Sequence, residues 1–198
     1  MDASAGTELI LIRHAPACDG GCLAGRRDVS ARIPPDRVLA DLRLRIGAAR
    51  LVASPALRCL QTAAALWPDQ TPAQDARLWE QDFGSWEGVA YGDLPDLGPL
   101  AASDLARHRP PQGESFADLC ARVQPALTDL AGQGGRIAVV AHAGVVRAGL
   151  AHALGSIPAA LAFQVAPLSI TRLVVPSGAA GWSVACVNSV AGVNLGAQ

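Results

Sequence analysis

The sequence predicts an α/β fold of three layers, with helices on both faces of a mainly parallel sheet. Short apolar runs of strand length alternate with longer segments whose apolar residues recur at helical spacing, the order expected of strand–helix–strand units. Those runs are almost continuously apolar, as strands covered on both faces are. The chain has 198 residues, 51% hydrophobic and only 17% charged, which suits one packed domain and argues against disorder. A single domain over residues 1–198 is therefore expected, with an insertion at about 83–113 forming a cap over the carboxyl ends of the strands.

Residues 8–13 (ELILIR) are an apolar run that stops at His14 and reads as a buried strand. Residues 15–35 are rich in Gly, Pro and Cys and read as loop. Over 36–49, Val38, Leu39, Leu42 and Ile46 fall at helical spacing. Residues 50–53 (RLVA) predict a second strand. Ser54 ahead of Pro55 is an N-cap followed by a proline at the first helical position, and it opens a helix to about Leu66. After a turn at 67–74, residues 76–79 predict a third short strand. The segment 83–113 is loop-like. Helices are expected over 114–130 and 144–154, on either side of a buried strand at 136–141 (RIAVVA) that ends at His142. Two last strands, 169–175 and 182–187, flank an SGAAG turn and predict a hairpin, giving the sheet one antiparallel member.

Composition removes several classes of function. All sixteen basic residues are arginine, so no Schiff-base or P-loop lysine exists, and any anion must be held by arginine. The net charge is −1 with no basic run, so no nucleic-acid footprint is expected. No apolar stretch is long enough to cross a bilayer. The first fifteen residues carry no basic region ahead of their apolar run and do not read as a signal peptide. The five cysteines include no C-x-x-C pair; they read as reduced thiols of a cytoplasmic protein, not as a disulfide or zinc framework. No G-x-S-x-G elbow, Walker A or G-x-G-x-x-G motif occurs. Oligomeric state is left open.

In open α/β sheets ligands bind beyond the carboxyl ends of the strands. Three expected strands end on polar residues there: Arg13-His14, Ser54 and His142. Arg58 joins them from the first turn of the following helix, and Glu80 follows the third expected strand. Arginines and histidines without a cluster of carboxylates suit an anion, phosphate above all, because guanidinium forks bind its oxygens bidentately at any working pH. Cations around a histidine disfavour its charged form, and the neutral ring can attack phosphorus. The helix start at Gly144 could add backbone N–H groups to such a site. On these residues alone the reading stops at a phosphate site.

A resemblance extends it. The motifs Leu11-Ile12-Arg13-His14, Ser54-Pro55-Ala56-Leu57-Arg58-Cys59-Leu60-Gln61-Thr62-Ala63, Glu80-Gln81-Asp82-Phe83-Gly84-Ser85-Trp86-Glu87-Gly88, Gly113-Glu114-Ser115 and the stretch from Val139 to Arg147 occur in one order. Together they resemble the histidine phosphatase superfamily, the phosphoglycerate-mutase-like fold. The resemblance implies that His14 is the nucleophile that becomes phosphohistidine, that Arg13, Arg58 and His142 form the phosphate pocket, and that Glu80 protonates the leaving group. It implies neither metal nor cofactor. Glu87 reads as structural.

Many members carry glycine after the nucleophile and Ser/Thr and Asn beyond it, where this chain has Ala15, Ala17 and Gly20. The R-H-A-P opening and Gly25-Arg26-Arg27-Asp28 resemble instead the alpha-ribazole phosphatase branch, and Arg26 is a candidate to replace the lost phosphate contacts. The expected activity is a metal-independent phosphomonoesterase acting on a small phosphate ester, with alpha-ribazole 5′-phosphate the leading substrate. The alternatives are a broad-specificity phosphatase, a phosphoglycerate mutase and, from another class, a non-catalytic module that binds a phospho-ligand.

Overall fold

Leu9, Ile10, Leu11 and Ile12 are wholly buried, and they make β1 (Thr7–Arg13) the hub of the sheet. In a strand alternate side chains point to opposite faces. Leu9 and Leu11 enter one core cluster, with α4 (Phe116–Ala131) and α5 (Ala143–Leu154); Ile10 and Ile12 enter the other, with α1 (Asp36–Ile46) and α2 (Leu57–Leu66). A strand with a helix layer on each side needs apolar residues at every position, which is why its sequence does not alternate.

The computed structural model describes residues 6–178 and 181–190. Six strands lie in the order β3 (Ala73–Gln74), β2 (Arg50–Ala53), β4 (Gly135–Ala141), β1, β5 (Ile170–Val175), β6 (Ser183–Ser189). Neighbours from β3 to β1 are parallel, while β5 is antiparallel to both β1 and β6, so β5 is the one strand that runs against the rest. The three-layer α/β/α expectation with one antiparallel strand holds.

The local differences have identifiable causes. Residues 76–79 are not a strand: Asp75 accepts the backbone N–H of Arg77 at 2.8 Å and turns the chain into a short 3-10 helix at Ala76–Leu78. Ser54 is not the cap of α2. Its hydroxyl lies 2.9 Å from His142 Nε2, and the helix starts at Leu57, whose N–H donates to Asp28 Oδ1 at 2.7 Å. The cap comes from a loop 29 residues upstream, which local sequence does not reveal. The first helix stops at Ile46, where Gly47 takes a positive φ of 68°. The expected helix from 114 starts at Phe116, after a capping box between Ser115 and Asp118. The segment 83–113 contains 3-10 turns at Gly84–Trp86 and Tyr91–Asp93 and a short helix, α3 (Ala102–Arg107); α6 (Ile157–Ala160), opened by Ser156, was not expected. Part of the turn expected at 177–181 lies outside the described residues.

Register positions the site. Arg13 pairs with Ala141 and Ala53 with Val140, so β1, β2 and β4 end at one level. The N–H of His14 donates to Ala141 O at 2.9 Å and that of Ser54 to Val140 O at 3.0 Å, extending the ladder by one residue into the polar edge.

Close packing of α5 on the sheet depends on Gly149. A Cβ there would lie 2.9 Å from Leu11 Cδ1 and 3.0 Å from Leu173 Cδ1. Gly149→Leu is expected to overpack this contact and cost about 1–3 kcal/mol, seen as a lower urea midpoint at unchanged slope; an unchanged or higher midpoint would contradict this packing.

Candidate active site

His14 is 5% exposed at the end of β1. Its Nδ1 lies 2.6 Å from the carbonyl of Ala15, which can only accept, so the proton sits on Nδ1 and Nε2 keeps its lone pair. Arg58 Nε donates to that Nε2 at 3.3 Å. Burial, with the charges of Arg58 and Arg13, lowers the His14 pKa to about 3, and the Ala15 hydrogen bond only partly opposes this. The ring is a neutral base whose unprotonated nitrogen is held by Arg58.

Arg58 comes from the first turn of α2 and is 1% exposed. Its two terminal nitrogens donate to Gly25 O at 2.6 Å and Arg27 O at 2.9 Å. The loop from residue 25 to 28 therefore fixes Arg58 from one side and caps its helix from the other. Arg13 donates from Nη1 to Val165 O at 2.6 Å, while its buried Nε has no partner among the described residues.

His142 follows β4 and is fully buried. Its ring meets His14 edge-on at 5.1 Å and stacks on Trp79 at 6.4 Å and 10°. Burial, then the nearby arginine charges, holds its pKa well below the usual histidine value. It backs His14 and is not part of the cavity wall. Cys59 lies 3.5 Å beneath it, and burial pushes that thiol up, away from reactivity.

Glu80 sits on a loop opposite His14. Its Oε1 accepts the Gly144 N–H at 3.1 Å and the Gln81 N–H at 3.0 Å. The start of α5 thus holds Glu80, and the N–H groups that sequence offered to an anion are partly used by this carboxylate. A Cβ at Gly144 would lie 2.3 Å from Glu80 Oε1, so this approach requires glycine.

A cavity of about 200 Å³ opens between these groups. Arg13, His14, Arg58 and Glu80 all line it. Arg26 does not: its Nη1 faces Asp82 at 3.8 Å and its Nη2 faces Glu114 at 3.4 Å, and two carboxylates turn it away from the wall. Glu87 accepts the N–H groups of Arg26 and Phe83 at 2.8 and 3.1 Å, a structural tie. Arg147 is a third guanidinium in the wall, which Asp19 and Tyr91 also line; Arg147 and Asp19 were not assigned from sequence. Arg147 stands three residues after Gly144 on α5, so the two share a helix face, and that spacing was the available signal. Among the described residues no three His, Cys, Asp or Glu side chains gather as a metal-binding set, and no helix is long and apolar enough to cross a membrane.

Both buried histidines take up protons in the unfolded chain that the folded chain refuses. Their folded pKa values lie below the ordinary 6.5, so stability is complete above that pH and falls as pH drops from about 6.5 toward about 3. The His14 ring signals are expected to stay flat in NMR titration from about pH 8 to 5, and His14→Asn to reduce the loss of denaturation free energy over that range. A His14 titration midpoint near 6.5 would contradict the buried neutral ring.

The profile of the histidine phosphatase superfamily (branch 1) matches residues 37–189. A 6-phosphofructo-2-kinase/fructose-2,6-bisphosphatase of Caenorhabditis elegans is 36% identical over 107 residues, 52% of this chain and 23% of that protein. The matches thus span about a quarter of the curated relatives' length. A mycobacterial glucosyl-3-phosphoglycerate phosphatase superposes with TM-score 0.77 at 22% identity, covering 92% of this chain and 98% of that one. A candidate alpha-ribazole-5′-P phosphatase of Escherichia coli superposes with TM-score 0.77 at 23% identity, covering 93% and 97%. These two likenesses concern the fold. With the family profile running from α1 to the end of β6, the chain belongs to the histidine phosphatase superfamily, branch 1.

Proposed function

We propose that this chain is a phosphomonoesterase that works through a phosphohistidine on His14 and needs no metal. One observation carries the reading: a neutral histidine, whose unprotonated Nε2 accepts from Arg58 Nε, lines a cavity that Arg13, Arg147 and Glu80 also line.

As the phosphoryl group binds, Arg58 Nε gives up Nε2 for a phosphoryl oxygen; the released lone pair attacks phosphorus as the ester P–O bond breaks, and the leaving oxygen takes a proton from Glu80. Water then attacks the phosphohistidine, gives a proton to Glu80 and releases phosphate, which returns His14 to its neutral form. Charge spreads over the equatorial phosphoryl oxygens in both steps, and fixed guanidinium groups stabilise it. Arg13 and Arg58 are assigned this role; the unpartnered buried Nε of Arg13 is a donor that an oxyanion would satisfy. His142, expected in the phosphate pocket, does not line the cavity, and its role is reassigned to packing behind His14 and excluding water. Arg26 is left out of the phosphate contacts. No metal is required because arginine supplies the positive charge.

For the substrate we propose a small monoester with an apolar or heterocyclic leaving group, alpha-ribazole 5′-phosphate first. Leu23, Phe83, Tyr91, Phe116 and Leu161 give the cavity an apolar side. Trp86 of the cap stacks on His108 at 5.4 Å and does not line the cavity. Arg107 and Arg109, the cations of the cap, pair with Asp104 and Asp118 and are not in the wall, which argues against a mutase grip on a second anion. Arg147 favours a second reading, an ester with one further negative group.

Labelled substrate quenched in alkali is expected to leave an acid-labile adduct on His14, and His14→Ala to lose at least about a thousandfold in kcat. Retention of more than about a tenth of the rate would remove His14 as nucleophile. Excess chelator is expected to leave turnover unchanged; a loss restored by one metal would overturn the metal-free reading. In a kcat/KM panel, alpha-ribazole phosphate is expected to exceed 3-phosphoglycerate and sugar phosphates by more than about tenfold, or about 1.4 kcal/mol. A spread within that factor would mean a broad-specificity phosphatase, and isomerisation of 3-phosphoglycerate faster than any hydrolysis would mean a mutase.

A further inference from the structure

Glu80 belongs to no helix or strand, so its position is imposed by what surrounds it. The carboxylate is tied at Gly144 and Gln81. The main chain is tied separately, by side chains that do not touch the cavity. Arg122, on α4, donates from Nη1 to the carbonyls of Arg77 at 2.6 Å and Trp79 at 3.1 Å, and from Nη2 to the carbonyl of Glu80 at 3.3 Å. Arg26 donates from Nε to the same Glu80 carbonyl at 3.4 Å.

Both guanidinium groups share one counter-ion. Glu114 Oε1 accepts from Arg122 Nη2 and from Arg26 Nη2, and it also accepts the N–H of Asp82 at 3.1 Å. The backbone of Glu114 completes the clasp: its N–H donates to Asp82 O at 2.8 Å, and its carbonyl accepts from Gln81 Nε2 at 2.9 Å. Glu114 is 17% and Arg122 21% exposed at the side chain, so these charge-assisted bonds are partly shielded from water.

We propose that Arg122, Arg26 and Glu114 are positioning residues for Glu80, fixing the loop from residue 77 to 82 so that its carboxyl meets the leaving oxygen. This rests on the reading of Glu80 as proton donor. A general acid must come within hydrogen-bond reach of the departing atom, and a displacement of about 1 Å can cost about a hundredfold. A planar fork on a helix can hold three carbonyls and a carboxylate at once, which a lysine ammonium cannot. Arg26 thereby serves the acid and not the phosphate.

The test is the ratio of kcat/KM for an alkyl phosphate, whose leaving group needs a proton, to that for nitrophenyl phosphate, whose leaving group does not. Glu80→Gln is expected to lower the ratio about a hundredfold, Arg122→Lys about tenfold, and the double variant no further than Glu80→Gln alone. A purely structural role would reduce both substrates together and leave the ratio in place. If Glu80→Gln lowers the ratio while Arg122→Lys keeps the wild-type value, the positioning proposal is overturned and the acid reading stands. If Glu80→Gln itself keeps the ratio, both fall. Should Arg122→Lys fail to fold, Glu114→Gln is read by the same ratio, with the same expected fall and the same overturning result.

Discussion

The proton that His14 carries on Nδ1 is the constraint on which the site depends. The Ala15 carbonyl fixes it there, and this decides that Nε2 faces the cavity side with a lone pair. That carbonyl belongs to the next residue, so the geometry requires the backbone to leave β1 in one way only. The ladder bond from His14 N–H to Ala141 O secures that exit. Burial then keeps the second proton away, and a charged imidazole would also stand beside the cations Arg58 and Arg13, the first of which already donates to Nε2. The strand register, the burial of the ring and the arginines around it thus all act on one tautomer.

With no lysine in the chain, arginine does two kinds of work that a point charge could not combine. Arg58 commits its terminal nitrogens to the Gly25 and Arg27 carbonyls while its Nε faces His14. Arg122 braces three carbonyls of one loop while paired to Glu114. In both, the fork that carries the charge also orders main chain that has no ladder of its own. Loops that bear functional groups have few buried apolar contacts to rigidify them, and charge-assisted bonds to their carbonyls replace that packing here.

The sheet and its polar edge were legible because apolar continuity, helical spacing and strand ends are local signals. Arg13, His14 and Arg58 converge as expected since each lies within a residue or two of an element end. Most of what could not be read depends on partners far along the chain. Asp28 caps α2 from a distance of 29 residues, leaving Ser54 to face His142. Arg26 stands in a motif that points to phosphate, yet the charges that claim it, Asp82 and Glu114, come from other segments. Asp75 makes a turn where apolar residues suggested a strand, because one side-chain acceptor outweighs a four-residue propensity. Arg147 shares a face of α5 with Gly144, but nothing local says which side of α5 meets the cavity.

These distant ties also explain why the cavity keeps its charge. Three guanidinium groups in one wall repel each other, and each loses hydration as the fold closes. The carbonyls of Gly25, Arg27, Val165 and Phe163 lie against them and take up part of their hydrogen-bonding capacity without neutralising it. Carboxylates placed at the same positions would satisfy the arginines fully and cancel the field that an anion needs. Neutral acceptors leave the field directed into the cavity, where Glu80 and Asp19 are the acidic side chains of the lining, and the acidic partners of Arg26 and Arg122 lie outside it, where they order Glu80 instead. The separation of carbonyl-held arginines at the wall from carboxylate-held arginines behind it keeps one region of the sheet edge ready for an anion while its acid-bearing loop stays fixed.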